Sequence, residues 1–232
     1  MCQLALHPEV VQCAQEELDR VVGRSRTPTW EDEPKLPYTR AIIKEIMRYR
    51  PITKSGQLHM LTEDDEYKGY FIPKGCIVMI SWWAIHFDPK RYPDPYQFKP
   101  ERFLNHKLSA AEYTALADVS QRDHFGYGAG RRVYICVLTS SDCSCVGMHL
   151  AEQGLFIAVA RMLWGFDVKM KIDADGNLIV PDENSFHDGL MSDPNDFEID
   201  IKVRSVEHEA VFRREWENAD HSTRLVKTPW SK

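Results

Sequence analysis

The chain has 232 residues, 43% of them hydrophobic and 28% charged, with a net charge of −6. That length suits one large domain or two small ones, and the composition is that of an ordinary soluble globular protein. The acidic balance, with no Lys/Arg stripe interleaved with aromatics, argues against a nucleic-acid partner.

Met1 opens a segment too short for the charged and apolar regions of a secretory signal. The longest apolar stretches, 76–85 and 155–166, fall short of the ~20 residues that span a bilayer. The six cysteines, Cys2, Cys13, Cys76, Cys136, Cys143 and Cys145, are too sparse for a disulfide framework and read as reduced thiols.

After His7-Pro8, the residues Val10, Val11, Ala14, Leu18, Val21 and Val22 recur near i, i+3, i+4, i+7, which predicts an amphipathic helix ended by Gly23. A polar stretch, 24–37, leads to a second predicted helix over 38–49. Its apolar face is Ile42, Ile43, Ile46 and Met47, and Pro51 stops it. Residues 56–85 predict short strands around the Pro73-Lys74-Gly75 turn. Residues 86–105, rich in Pro, Tyr and Phe, predict an ordered irregular loop, and a Gly-rich segment follows at 125–130. A third helix is predicted over 148–164, then a strand over 166–172 and a turn at 173–177. The last thirty residues are charged and weakly patterned. No internal repeat or linker stands out.

Four motifs carry chemistry. Glu45 and Arg48, at i, i+3, share a face of the second helix and can pair. In Pro93-Asp94-Pro95-Tyr96-Gln97-Phe98-Lys99-Pro100-Glu101-Arg102-Phe103, the prolines stiffen a loop that presents the Arg102 fork, suited to a carboxylate. Phe125-Gly126-Tyr127-Gly128-Ala129-Gly130-Arg131-Arg132 lets the backbone turn sharply and approach a ligand, with two arginines behind for an anionic group. Cys145-Val146-Gly147-Met148-His149-Leu150-Ala151-Glu152 sets a cysteine just before the third helix, where a thiolate is favoured.

In this order and at about this spacing, the four motifs resemble those of the cytochrome P-450 family, in its fungal form. Leu36-Pro37-Tyr38, Gly69-Tyr70-Phe71-Ile72-Pro73-Lys74-Gly75 and Trp83-Ala84-Ile85-His86-Phe87-Asp88-Pro89 share the resemblance. It implies a mainly α fold with small β-sheets, the carboxy-terminal half of the cytochrome P-450 fold. Residues 1–204 would be a partial domain of that kind and 205–232 a charged extension. It implies a haem-dependent monooxygenase carrying haem b (iron protoporphyrin IX). Cys145 would be the axial ligand of the iron, Arg132 and His59 would face the propionates, and Glu45, Arg48 and Arg102 would form a buried structural triad. The implied partners are a small organic substrate, as in secondary metabolism, and an NADPH-dependent reductase. The implied setting of a full-length parent is the cytosolic face of the endoplasmic reticulum membrane, through an amino-terminal anchor that does not occur here.

Two departures qualify that expectation. The family cysteine stands two residues after the second arginine, at the place of Tyr134, whereas Cys145 follows eleven further residues, 134–144. Deleting them restores the pattern except for Val146, where the family has proline. Loop closure is no obstacle, since doubling a loop costs only about 0.6 kcal/mol. Geometry is, because such sites tolerate about 0.5 Å of slack. The segment reads as a partly retained intron or a misplaced splice site. Second, nothing resembles the family's oxygen-activating helix, so the apolar faces of the first two helices are expected to be exposed and the chain to be inactive. Two other readings are a non-catalytic remnant and a zinc module on Cys136, Cys143, Cys145 and His149, whose spacing fits no common finger.

Overall fold

A short helix, α1 (Cys2–Leu6), leads into α2 (Pro8–Val21). Pro8 takes the first helical position, where its missing N–H costs nothing and its fixed φ suits the helix. Val10, Val11, Ala14 and Leu18 are buried along one face, and Gly23, at φ +73°, turns the chain away. The computed structural model describes residues 1–56, 58–116, 118–128, 132–133, 143–187, 189 and 191–219, with the backbone alone for 132–133 and 143–144.

Helix α3 (Pro37–Tyr49) also starts on proline, but its N-cap, Leu36, has no acceptor to offer the free N–H groups. The buried Glu17 of α2 supplies it. Its carboxylate accepts from the Tyr38 and Thr39 amides, both at 2.9 Å, and from the Thr39 hydroxyl at 3.0 Å. An anion at a helix N-terminus is favourable, and here it also fixes α2 against α3.

Next come β1 (Leu58–Met60), β2 (Asp65–Tyr67), β3 (Tyr70–Ile72), β4 (Ile77–Met79) and a short helix, α4 (Trp82–His86). β1 pairs antiparallel with β4, placing His59 opposite Val78, and β2 pairs with β3 around Lys68 and Gly69, both at positive φ. The strand expectation over 56–85 fails at its end: Ser81 caps α4 by accepting from the Ala84 amide at 3.2 Å, and the chain coils. The irregular stretch 86–105 contains one tight helical turn, Pro100–Phe103.

After α5 (Ala110–Ala115), the pieces β5 (Arg132–Val133) and β6 (Cys143–Ser144) pair in parallel. Helix α6 (Met148–Gly165) then runs straight into β7 (Phe166–Ile172), which lies between β8 (Leu178–Ile179) and β9 (Ile199–Val203). The fully buried Leu18, Leu36, Ile42, Phe156, Leu163 and Trp164 join α2, α3 and α6 in one core. The apolar faces of α2 and α3 are therefore covered, against expectation, because α6 supplies their partner surface. Exposed apolar side chains gather instead on Leu58, Met60, Ile77 and Met79 of the β1–β4 pair and on Leu150.

The weakly patterned tail forms α7 (Val206–Asn218), capped by Ser205, with His208 and Val211 buried. Its Phe212 ring sits over Gly165 so closely that a Cβ there would stand 2.2 Å from it. Glu215 accepts from the Thr27 hydroxyl at 2.6 Å and amide at 2.9 Å.

Candidate functional site

The structure brings Glu45, Arg48 and Arg102 together. Arg48 donates to both Glu45 oxygens, Nε–Oε2 at 2.7 Å and Nη2–Oε1 at 2.8 Å, and both side chains are fully buried. Arg102 Nε adds a contact to Oε1 at 3.2 Å, and the Lys99 amide another at 2.8 Å. Two guanidiniums on one carboxylate leave a surplus positive charge, which backbone carbonyls absorb. Arg48 donates to His86 O at 2.8 Å, Pro95 O at 3.0 Å and Gln97 O at 3.4 Å. Arg102 donates to Pro93 O at 2.9 Å, Gln97 O at 3.2 Å and Asp94 O at 3.3 Å. The composition of the proline loop has a reason: Pro93 and Pro95 carry acceptors and no competing donor, and Asp94, at φ +51°, turns the chain between them.

A second buried pair, Lys44 with Asp123, ties α3 to the start of the Gly-rich segment. Tyr92 donates to Asp123 O at 2.6 Å. His86, which ends α4, accepts the Phe125 amide on Nε2 at 2.9 Å. Burial, then the neighbouring His124 and Arg48, lowers the His86 pKa to about 3, so the imidazole is neutral. Burial also lowers His124, whose Nδ1 accepts the Gly126 amide at 3.1 Å. Gly126 passes close to α3, since a Cβ there would lie 2.8 Å from the Met47 methyl. Gly128, at φ +102°, turns the segment, and Arg122 donates to its carbonyl at 3.1 Å.

Cys145 is a free, exposed thiol, and its amide donates to Tyr127 O at 2.8 Å. It stands two residues before Gly147, the N-cap of α6, which has no side-chain cap. The unmet amides there suit an anion. Arg132 and Val133 pair in parallel with Cys143 and Ser144, and 134–142 lies outside the described residues. Cys145 thus follows Ser144, which pairs beside Val133. The Arg132 side chain lies outside the described residues, and His59, half-buried on β1, makes no side-chain hydrogen bond among them. Of the zinc alternative, Cys136 and the Cys143 side chain also lie outside them, while Cys145 and His149 are exposed. No group of three His, Cys, Asp or Glu fit for a metal occurs among the described residues.

Sequence reasoning missed Glu17, Lys44, Asp123 and the acceptor role of His86. Lys44 offered a signal, a charge beside Glu45 on a helix buried nearly all round; the others are joined only by distant folding.

The cytochrome P-450 family model matches residues 1–199. Cytochrome P-450 monooxygenase verL of Clonostachys rogersoniana is 44% identical over 214 residues, 92% of this chain and 37% of that protein. Monooxygenase virE of Hypocrea virens is 43% identical over 216 residues, 93% of this chain and 37% of its own length. A solved zebra fish cytochrome P-450 with abiraterone superposes at a TM-score of 0.69 and 32% identity, over 88% of this chain and 41% of that one. The chain thus spans a little over a third of the length of the curated relatives it matches. Its mainly α fold with small sheets corresponds to the carboxy-terminal half of the cytochrome P-450 fold. Family match and fold agree: the chain belongs to the cytochrome P-450 family.

Proposed function

We propose that this chain carries the haem-thiolate portion of a monooxygenase, an oxidoreductase that incorporates molecular oxygen into a small organic substrate. One observation carries the reading: hydrogen bonds tie the buried Glu45–Arg48 pair to His86, His86 to the Phe125 amide, and Tyr127, two residues on, to the amide of the exposed Cys145 at an uncapped helix start.

The residues fit haem b. Cys145 offers an exposed thiol just before the start of α6, and the neighbouring Val146 and Leu150 are exposed apolar side chains suited to a flat apolar ring. Arg132 and His59 supply cationic or donor groups for its propionates. When bound, the haem supplies oxygen activation, aided by the electron-rich sulfur. The protein fixes the Cys145 main chain through its amide bond to the Tyr127 carbonyl, and ties the preceding loop to the triad through His86. The electron donor in this reading is an NADPH-dependent reductase, and the substrate belongs to secondary metabolism. The setting in this reading is the endoplasmic reticulum membrane; no described helix is long and apolar enough to cross a membrane.

The 232 residues alone are expected not to turn over, since the apolar β1–β4 surface stays bare. A second reading, a non-catalytic product, draws on the interruption: Cys145 follows the strand beside Val133 rather than Val133 itself, and such a site tolerates only about 0.5 Å of slack. Haem reconstitution compares the chain with a version lacking 134–144. The shortened chain should give a thiolate-type Soret band with carbon monoxide that Cys145→Ser abolishes, and the unaltered chain little of it. A band that survives Cys145→Ser sinks the ligand assignment. Stoichiometric zinc without haem would favour the module instead.

A further inference from the structure

We propose that His86 is a positioning residue for the iron-binding loop, joining the Glu45–Arg48–Arg102 cluster to the Phe125 end of the Gly-rich segment. The proposal rests on the haem-thiolate reading for its consequence and on geometry for its substance.

His86 is fully buried and faces two ways. Its main-chain carbonyl accepts from Arg48 Nη1 at 2.8 Å, so the end of α4 is fixed to the triad. Its ring Nε2 accepts from the Phe125 amide at 2.9 Å, so the same residue fixes the first position of the Gly-rich segment. Two residues on, Tyr127 O receives the Cys145 amide at 2.8 Å. His86 is therefore a direct link between the charge cluster and the segment that leads to the cysteine.

The α4 helix grips Phe125 a second time. Trp82 stacks on the Phe125 ring with centroids 5.9 Å apart and planes 9° from parallel, and Arg91 lies 4.8 Å from the ring centroid. The ring contacts set where Phe125 sits, and the imidazole sets how its peptide plane is turned. A glycine-rich segment has little intrinsic orientation, so an external acceptor at its first amide limits the freedom of the residues after it. Only a neutral imidazole with the proton on Nδ1 can accept at Nε2. Burial keeps it neutral, as the low pKa indicates. Nδ1 has no partner among the described residues, a defect that persists where Nε2 is committed elsewhere.

The test uses the 15N-labelled 232-residue chain and two variants. His86→Gln keeps an acceptor near the Nε2 position, and His86→Leu removes it. In the unaltered chain, ring nitrogen shifts should report Nδ1–H with Nε2 unprotonated. The Phe125 amide should exchange with solvent about tenfold faster in His86→Leu, with α6 amides unchanged and His86→Gln close to the unaltered chain. With haem added, in the version lacking 134–144, His86→Leu should lose much of the thiolate-type Soret band and His86→Gln should restore it. The opposite tautomer, or Phe125 exchange equal in all three chains, overturns the proposal; if His86→Leu fails to fold, the tautomer and His86→Gln decide. Correct tautomer and exchange with no haem uptake in any chain overturns the haem reading and with it the consequence drawn for His86, leaving the imidazole–amide bond established.

Discussion

Glu45→Gln tests the charge cluster most directly. The substitution keeps the side-chain shape but removes the one anion shared by Arg48 and Arg102. It also turns an NH2 toward a guanidinium donor that now lies 2.7 Å from Glu45 Oε2. Breaking a buried ion pair costs about 3–5 kcal/mol. Five backbone carbonyls remain on the two guanidiniums, so the lower end, about 3 kcal/mol, is expected. A chain of this size loses about 2–4 °C of Tm per kcal/mol, which gives a fall of about 6–12 °C. Urea unfolding followed by tryptophan fluorescence reads the free energy, and a thermal melt reads the shift. A variant within about 0.5 kcal/mol of the unaltered chain would refute the reasoning, because it would mean that water already screens the pair.

Gly165→Ala should cost about 1–3 kcal/mol, since its new methyl meets the Phe212 ring, and should cost little in a Phe212→Ala background; a double-mutant cycle in urea measures the coupling. Asp32 is held at a pKa of about 2, below its usual 3.8, chiefly by its hydrogen bonds with Arg26. A lowered carboxyl pKa gives stability present above pH ~4 and lost as the pH falls toward ~2. Arg26 is partly exposed, so Asp32→Asn should cost only about 1 kcal/mol at pH 7 and almost nothing near pH 2, as acid titration of the urea midpoint will show.

The long helices were legible because a 3.6-residue repeat extends over α2 and α3, and Pro and Gly mark their ends. Glu45 and Arg48 were legible as an i, i+3 pair, and Arg102 through the family motif. The α4 helix was not, since five residues beginning Trp-Trp carry no period and only Ser81 hints at a cap. The tail concealed α7 because just His208 and Val211 are buried on an otherwise charged helix. Glu17 looked like one more surface acid of an amphipathic helix. Its role depends on Leu36 leaving amides unmet across a fold-level contact, which local spacing cannot reveal. The expected exposure of α2 and α3 erred for a related reason: it overlooked what α6 covers.

The clasp of Arg204 and α7 on the α2 region has a consequence for synthesis. Asp19 binds Arg204 across 185 positions, and Thr27 binds Glu215 across 188. The α2 stripe is made well before α6, its cover, and α7, its latch. At about 5–20 residues per second, the nascent chain carries that apolar stripe bare for on the order of ten seconds. Contacts so distant in sequence also form slowly once the chain is free. The early helices are thus a natural docking point for chaperones during translation, and removing the last thirty residues should harm soluble yield before it harms anything else.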